Sequence, residues 1–166
     1  MPLPPFDQYP ILTDNIIILR PPRIADIPDI IEICFYDGKA AETQEEAKDM
    51  LQKINLDYEN GNSIHWVISD FILHQTIGTC GFYRGFQDET GEIGYVLLPE
   101  FRGYGWMTHA VQLAIRFGFN DIGLKRIIAY TDQENVKSQK VLERIGFTLS
   151  GQKKDGNLEY ELLKNS

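Results

Sequence analysis

Two rhythms of apolar residues run through the chain. One repeats about every 3.6 residues, the period of a helix with one buried face. Ile27, Ile30, Ile31 and Cys34 share such a face, as do Ala47, Met50, Leu51, Ile54 and Tyr58. Met107, Ala110, Val111, Ala114, Ile115 and Gly118 form another stripe, and Val141, Leu142 and Ile145 a last one. Helix punctuation surrounds these stripes. Asp26 with Pro28 reads as a start. Thr43 and Glu46 match a capping box, and Asn60-Gly61 ends that helix. Asn135 is placed to cap the last helix and Gly146 to close it. The second rhythm is a series of short apolar runs bounded by turn residues, which predicts strands at 15–20, 64–69, 76–83, 92–98, 126–130 and 158–163. A further short strand follows Phe147, and Asp155-Gly156 supplies the turn of a hairpin over 151–157. The segment 35–41 has no regular period, and the proline-rich residues 1–10 read as an irregular arm. The sum is an α/β (α+β) chain, one domain over 1–166, with a mixed sheet of about six or seven strands flanked by about four helices.

Composition narrows the partners. With 166 residues, 43% apolar and 24% charged, the chain supports a real core. A formal net charge of −8 argues against a nucleic-acid surface and is compatible with a cationic substrate. No apolar run has membrane length and no basic-then-apolar leader is visible, so a cytoplasmic protein without a membrane partner is expected. Cys34 and Cys80 lie far apart, and His65, His74 and His109 lack metal-ligand spacing. Neither a metal site nor a disulfide framework is expected, and both cysteines read as small buried hydrophobes.

The stretch 91–147 concentrates the chemistry. It runs strand, turn, helix, strand, helix. Its turn, Arg102-Gly103-Tyr104-Gly105-Trp106-Met107, carries two glycines directly before a helix. The free N–H groups and dipole of such a helix start favour a phosphate or pyrophosphate. Arg102 either adds a cation there or is a surface charge, and Trp106 either packs or touches the ligand. By itself the Gly-x-Gly is equally a tight turn. A Walker A loop is absent. A dinucleotide fingerprint fits poorly, because Thr108 stands at its third glycine and Pro99-Glu100-Phe101 separate strand from turn. Asp132 would imitate the ribose-binding acid of that motif.

Arg102-x-x-Gly105-x-Met107 resembles the (Gln/Arg)-x-x-Gly-x-(Gly/Ala) signature of the GNAT superfamily of N-acetyltransferases, with Met107 a departure at the last position. Residues 135–147, beginning Asn135-Val-Lys-Ser138, resemble the closing segment of the RimJ/RimL-type branch, which acetylates the N-termini of ribosomal proteins. The two motifs also have that family's order and spacing. The resemblance implies a mostly antiparallel sheet, acetyl-CoA as cosubstrate, and a protein N-terminus or a small amine as acceptor. It implies that Arg102, Gly103, Tyr104, Gly105, Trp106, Met107 and Thr108 hold the pyrophosphate of coenzyme A. Val96, Leu97 and Leu98 would run beside the pantetheine, one N–H facing the thioester oxygen. Asn135 would contact the pantetheine amides besides capping its helix, and Ser138 would approach the sulfur. The early helices would shape the acceptor side. A monomer or a homodimer is compatible with all of this.

Acetyl transfer to an amine needs a neutral nucleophile, donors for the developing oxyanion and a proton for the departing thiolate. A lysine side chain titrates near ~10.4 and an α-amino group near ~7.7–8.0, so an N-terminal acceptor needs less help from a base. Ser138 is the candidate acid. It shares the apolar face of Val141, Leu142 and Ile145, where a serine ordinarily bonds its own helix backbone. Glu92 is the candidate base, on one strand face with Gly94 and Val96; otherwise it is an exposed strand-end carboxylate. Glu159 is a second candidate, and Tyr95 and Tyr130 serve as acids or as packing. No Ser-His-Asp or Cys-His set is present, which favours direct transfer over an acetyl-enzyme. A non-catalytic acyl-CoA-binding domain would keep the turn and Asn135 but lack a working acid and base. A dinucleotide-binding protein is the third reading.

Overall fold

The computed structural model describes residues 1–165. In chain order its elements are β1 (Leu12–Thr13), β2 (Ile17–Arg20), α1 (Ile27–Ile30), β3 (Phe35–Tyr36), β4 (Lys39–Ala40), α2 (Gln44–Glu59), β5 (Ile64–Asp70), β6 (Thr76–Tyr83), β7 (Thr90–Leu97), α3 (Trp106–Phe117), β8 (Arg126–Thr131), α4 (Val136–Ile145), β9 (Thr148–Gln152) and β10 (Leu158–Leu163). The main sheet has eight strands in the order β1-β2-β5-β6-β7-β8-β10-β9, and β3 and β4 form a separate hairpin. Every neighbouring pair in the main sheet is antiparallel except β7 and β8. The mixed, mostly antiparallel sheet with four helices is therefore present. The strand beyond the six or seven read from the pattern is β1, two residues long, which is too short to carry a period.

Side chains alternate across a strand, so the register divides the sheet into two faces. Trp66, Cys80, Phe82, Ile93, Leu97, Ile127, Ala129 and Tyr160 face α3 and α4, where they meet Ala110, Val111, Ala114, Phe117 and Leu142 in the main core. The opposite face is covered by α1, α2 and the β3–β4 hairpin. There Ile30 and Ile33 pack on Val67 and Leu98, while Ile27 and Cys34 pack on Ala47 and Leu51. Both cysteines are buried and free, as small hydrophobes.

One helix start holds and two local readings change in the fold. α1 begins directly after Asp26 with Pro28 in its first turn, although the Asp26 side chain makes no cap bond. Its buried carboxylate accepts from Arg20 Nη1 and Nη2 at 2.9 and 2.7 Å and from the Arg23 N–H at 2.8 Å, which ties the covering layer to β2. The helix expected to run to Cys34 leaves helical geometry at Ile30 and finishes as a single tight turn over Ile31–Ile33. Thr43 does cap α2, accepting from the Glu46 N–H at 3.1 Å, but Glu46 Oε2 takes the Glu42 N–H at 2.9 Å, one residue upstream of a reciprocal box. The N-terminal arm has no regular structure before β1 and is nonetheless anchored. Trp66 Nε1 donates to the Pro10 carbonyl at 2.9 Å, the Phe6 N–H donates to the Tyr58 hydroxyl at 3.0 Å, and the Tyr9 hydroxyl donates to the His65 carbonyl.

Candidate active site

The parallel pairing of β7 and β8 lasts only from Thr90↔Arg126 to Glu92↔Ile128. Beyond that point β7 continues beside β6 as far as Leu97, and β8 continues beside β10 as far as Thr131. The sheet forks, and one edge of β7 loses its strand partner. The Leu98 N–H donates to the Ile77 carbonyl at 2.9 Å. In an antiparallel ladder the hydrogen-bonding direction alternates, so Gly94 and Val96 point their backbone groups to β6, and Tyr95 and Leu97 point theirs into the fork. Arg102 occupies one of these groups: its Nε and Nη2 donate to the Leu97 carbonyl at 3.1 and 3.0 Å. Of Val96, Leu97 and Leu98, only Leu97 thus turns an amide toward the gap, and Tyr95 joins it. Such edge groups need a partner.

At the start of α3 Gly103 and Gly105 adopt φ of +88° and +80°. A Cβ at either would meet nothing within 4 Å, so glycine is required by the backbone conformation and not by space. Gly105 is the N-cap, no side chain caps the helix, and its first turn has no acidic residue. Its leading N–H groups are therefore open to an anion. Trp106 packs beside Phe101 and Tyr104, with ring centroids 5.5 and 5.9 Å away. Met107 is buried in the main core beneath the helix, and Thr108 is half-buried. Residue 107, small in the signature, is here a core side chain.

At the start of α4 the Ser138 N–H donates to Asn135 Oδ1 at 3.2 Å, the cap read from the sequence. Ser138 Oγ does not bond its own helix. It shares a hydrogen bond of 2.9 Å with the Tyr95 hydroxyl on β7. Burial pushes the Tyr95 phenol up to about 12, with the Ser138 bond working the other way, so both hydroxyls keep their protons near neutrality. Thr131 Oγ1, at the end of β8, is buried without a hydrogen-bond partner among the described residues.

On the opposite face the sheet and its covering layer enclose a cavity of about 680 Å³, with Tyr36, Asp57, His65, Tyr83, Glu92 and Tyr130 among its lining. Glu92 stands at the last paired position before the fork. Its carboxylate accepts from Arg84 Nη1 at 2.6 Å. Burial raises its affinity for a proton above that of an ordinary glutamate, against the pull of Arg84 and Lys153. Arg84 itself holds a left-handed φ of +63°, an uncommon conformation for a side-chain-bearing residue. Glu159 is differently placed. It accepts from the Tyr130 hydroxyl at 3.0 Å and from Ser150 Oγ at 2.8 Å, and pairs with Arg126. Against burial, Ser150, Tyr130 and Arg126 hold it below the usual carboxylate range, as a bonded anchor with little basicity.

The cavity also brings in residues that the sequence did not single out. His65 Nδ1 and the Tyr83 hydroxyl share a hydrogen bond of 2.6 Å. Burial drives the imidazole down to about 4, so it is neutral. The Tyr83 ring lies over two absent side chains. A Cβ on Gly94 would come within 2.9 Å of that ring, and one on Gly81 within 2.9 Å of its hydroxyl. Glycines inside strands were the available signal, since they mark close approach. By strand alternation Glu92 faces the cavity while Tyr95 and Ser138 lie on the α4 side. The candidate base and acid flank the fork from opposite faces.

Comparison with known proteins identifies the family. The family profile described as acetyltransferase (GNAT) domain matches residues 17–148. The chain belongs to the GNAT N-acetyltransferase family. An uncharacterised N-acetyltransferase of Bacillus subtilis, YoaA, is 30% identical over 153 residues, covering 87% of this chain and 86% of its own. RimL, a ribosomal L7/L12 alpha-N-protein acetyltransferase solved in complex with coenzyme A, superposes with a TM-score of 0.82 at 19% identity, covering 93% of this chain and 97% of its own. A dodecameric spermidine N-acetyltransferase of Vibrio cholerae superposes with a TM-score of 0.76 at 17% identity over 90% of this chain and 95% of its own. At these identities the superpositions establish the GNAT fold. They include both protein and polyamine acetyltransferases, so the fold leaves the acceptor open.

Proposed function

We propose that this GNAT protein transfers the acetyl group of acetyl-CoA directly to a primary amine, on a protein N-terminus or a small molecule. The observation that carries the reading is the fork, with Glu92 on one side and the Tyr95–Ser138 pair on the other. The residues fit the cosubstrate in three respects. The uncapped start of α3 offers backbone N–H groups to a pyrophosphate. The fork-facing edge of Tyr95 and Leu97 offers strand-like hydrogen bonds to the pantetheine amides, and the orphaned Thr131 hydroxyl stands at the end of the other prong. Arg102 braces the turn against β7 through the Leu97 carbonyl and acts on the anion through its remaining nitrogen or through the loop it holds.

Acetyl-CoA supplies an activated carbonyl carbon. Glu92, a carboxylate of raised basicity, accepts the proton that the amine loses as the C–N bond forms. A fork-facing amide of β7 stabilises the charge on the carbonyl oxygen. Ser138, hydrogen-bonded to Tyr95, gives a proton to the sulfur as the C–S bond breaks. Asn135 fixes Ser138 by capping the helix that carries it. No residue is acylated.

Thermal unfolding with acetyl-CoA, coenzyme A or NAD tests the cosubstrate. A ligand at about 100 times its dissociation constant adds roughly 2.7 kcal/mol, several degrees for a domain of this size. Stabilisation by both coenzymes and not by NAD is expected, followed by thiol release with amines and N-terminal peptides. Stabilisation without thiol release from any amine would favour a non-catalytic acyl-CoA-binding domain. No stabilisation by either coenzyme would end the reading.

A further inference from the structure

The wall of the cavity that faces the sheet carries charge and hydrogen-bonding capacity that the transfer chemistry does not use. Asp57 on α2 and Asp37 in the turn between β3 and β4 line it, together with Glu92 on the sheet side. Against these three carboxylates the lining has one permanent cation, Arg84, and it is paired with Glu92 at 2.6 Å. Among the described residues neither Asp37 nor Asp57 has an ion-pair partner. Asp57 Oδ2 accepts from the Tyr36 hydroxyl at 2.9 Å, a bond that orients the carboxylate without neutralising it. Lys53 lies 5.5 Å over the Tyr36 ring, and Lys153 lies 4.0 Å over the Tyr130 ring; neither lines the cavity. His65 is neutral there and adds no charge.

A second, independent feature points to a ligand. Ser63, also in the lining, is only 3% exposed, and its Oγ has no hydrogen-bond partner among the described residues. Buried hydroxyls are nearly always bonded, so an orphan among the residues that line a cavity marks a place that a polar ligand group can complete. Ile30, Ile33 and Ile54 supply apolar lining on the covering wall. A carboxylate on that wall, an unbonded hydroxyl between α2 and β5, aliphatic surface and a basic carboxylate on the sheet wall describe a ligand with an alkyl chain and two amino groups.

We propose that the acceptor is a free aliphatic diamine or polyamine. One nitrogen is presented to Glu92 and the other is held as an ammonium by Asp57 and Asp37 with Ser63. The assignment rests on the acetyl-transfer reading for the Glu92 end, while the cation site on the covering wall is testable alone. Tyr36 is a positioning residue in it, acting through Asp57.

Calorimetric titration of the full chain with coenzyme A present compares putrescine with butylamine, which has the same carbon chain and a single nitrogen. Putrescine should bind at least about tenfold tighter, the effect of one charge-assisted contact. Asp57→Asn should abolish that preference and leave butylamine unchanged. Asp37→Asn, at an exposed turn where folding is not at stake, should reduce it, as should Ser63→Ala. Equal binding of putrescine and butylamine, or equal weakening of both by Asp57→Asn, overturns the proposal. So does Asp57-dependent binding of an Ala-Lys peptide without a putrescine preference, which would give the site to a basic protein N-terminus. The two readings fail separately. A putrescine preference without coenzyme A stabilisation removes the transfer reading and keeps the cation site; coenzyme A stabilisation with no preference does the reverse.

Discussion

The Tyr95 hydroxyl and Ser138 Oγ, 43 positions apart in the chain, share a hydrogen bond of 2.9 Å that joins β7 to α4 beside the fork. Tyr95 keeps its proton because burial raises its phenol to about 12, so the pair can supply a proton and be re-protonated. Ser138→Ala should lower kcat by roughly a hundredfold, the usual scale of a lost general acid, with coenzyme A affinity within about twofold. Tyr95→Phe should lower kcat less, and the double variant should cost less than the sum, because the two groups act as a unit. Single-turnover kinetics and calorimetry separate the terms. Unchanged kcat in Ser138→Ala would reduce the bond to a structural tie.

Glu92 must be ionised to accept a proton. Its affinity for protons is raised by burial and opposed by Arg84 and Lys153, so activity should fall as pH drops through a value above that of an ordinary glutamate. Removing the opposing cation with Arg84→Ala should move that limb to higher pH. Glu92→Gln should abolish it and lower kcat/KM by about a hundredfold or more. The acceptor's own ionisation contributes equally to all three enzymes, so the difference between their pH profiles isolates Glu92. Superimposable profiles would remove it as the base.

Gly103 and Gly105 hold left-handed backbone in open space. Alanine at either should cost about 1–2 kcal/mol through φ alone, since no neighbour is struck. The larger effect should be on coenzyme A affinity, expected to fall about tenfold as the amides of the turn lose their common direction. Urea titration reads the first quantity and calorimetry the second. Loss of stability with unchanged affinity would make the turn architecture only.

His65 gives a pH signature of the fold. Its folded value, about 4, lies below the 6.5 of a free imidazole. Below the free value the unfolded chain takes up a proton that the folded chain refuses, so stability is full above that range and is lost as pH falls. Between pH 7 and pH 5 the linkage amounts to about 2 kcal/mol. Denaturant titrations at the two pH values should show this loss in the wild type and not in His65→Gln. Equal losses in both would place the acid sensitivity elsewhere.

Much of the fold was legible because it is local. The stripes of α2, α3 and α4, the Asn135 cap, the Gly146 stop and the α3 turn all express themselves within one or two helical turns. So does the alternation that sets Glu92 apart from Tyr95. Where the local signal is thin the structure departs from the pattern: β7 begins at Thr90 and not at 92, α1 stops at Ile30, and β1, β3 and β4 are two residues each. Asp26 has the residue type of a cap, and its carboxylate goes instead to Arg20 on β2.

The sequence by itself determined the longer helices and strands, the glycine turn that opens α3, and which family the closing motif resembles. Each of these depends on periodicity, caps and spacing along a single segment. Only the tertiary structure decided that β7 and β8 separate after Glu92, that Ser138 answers to Tyr95, and that Asp57, Ser63, His65 and Tyr83 surround one cavity with Glu92. Register between strands and contacts between distant side chains are set by how whole layers pack. No local pattern encodes which far-off residue will stand opposite.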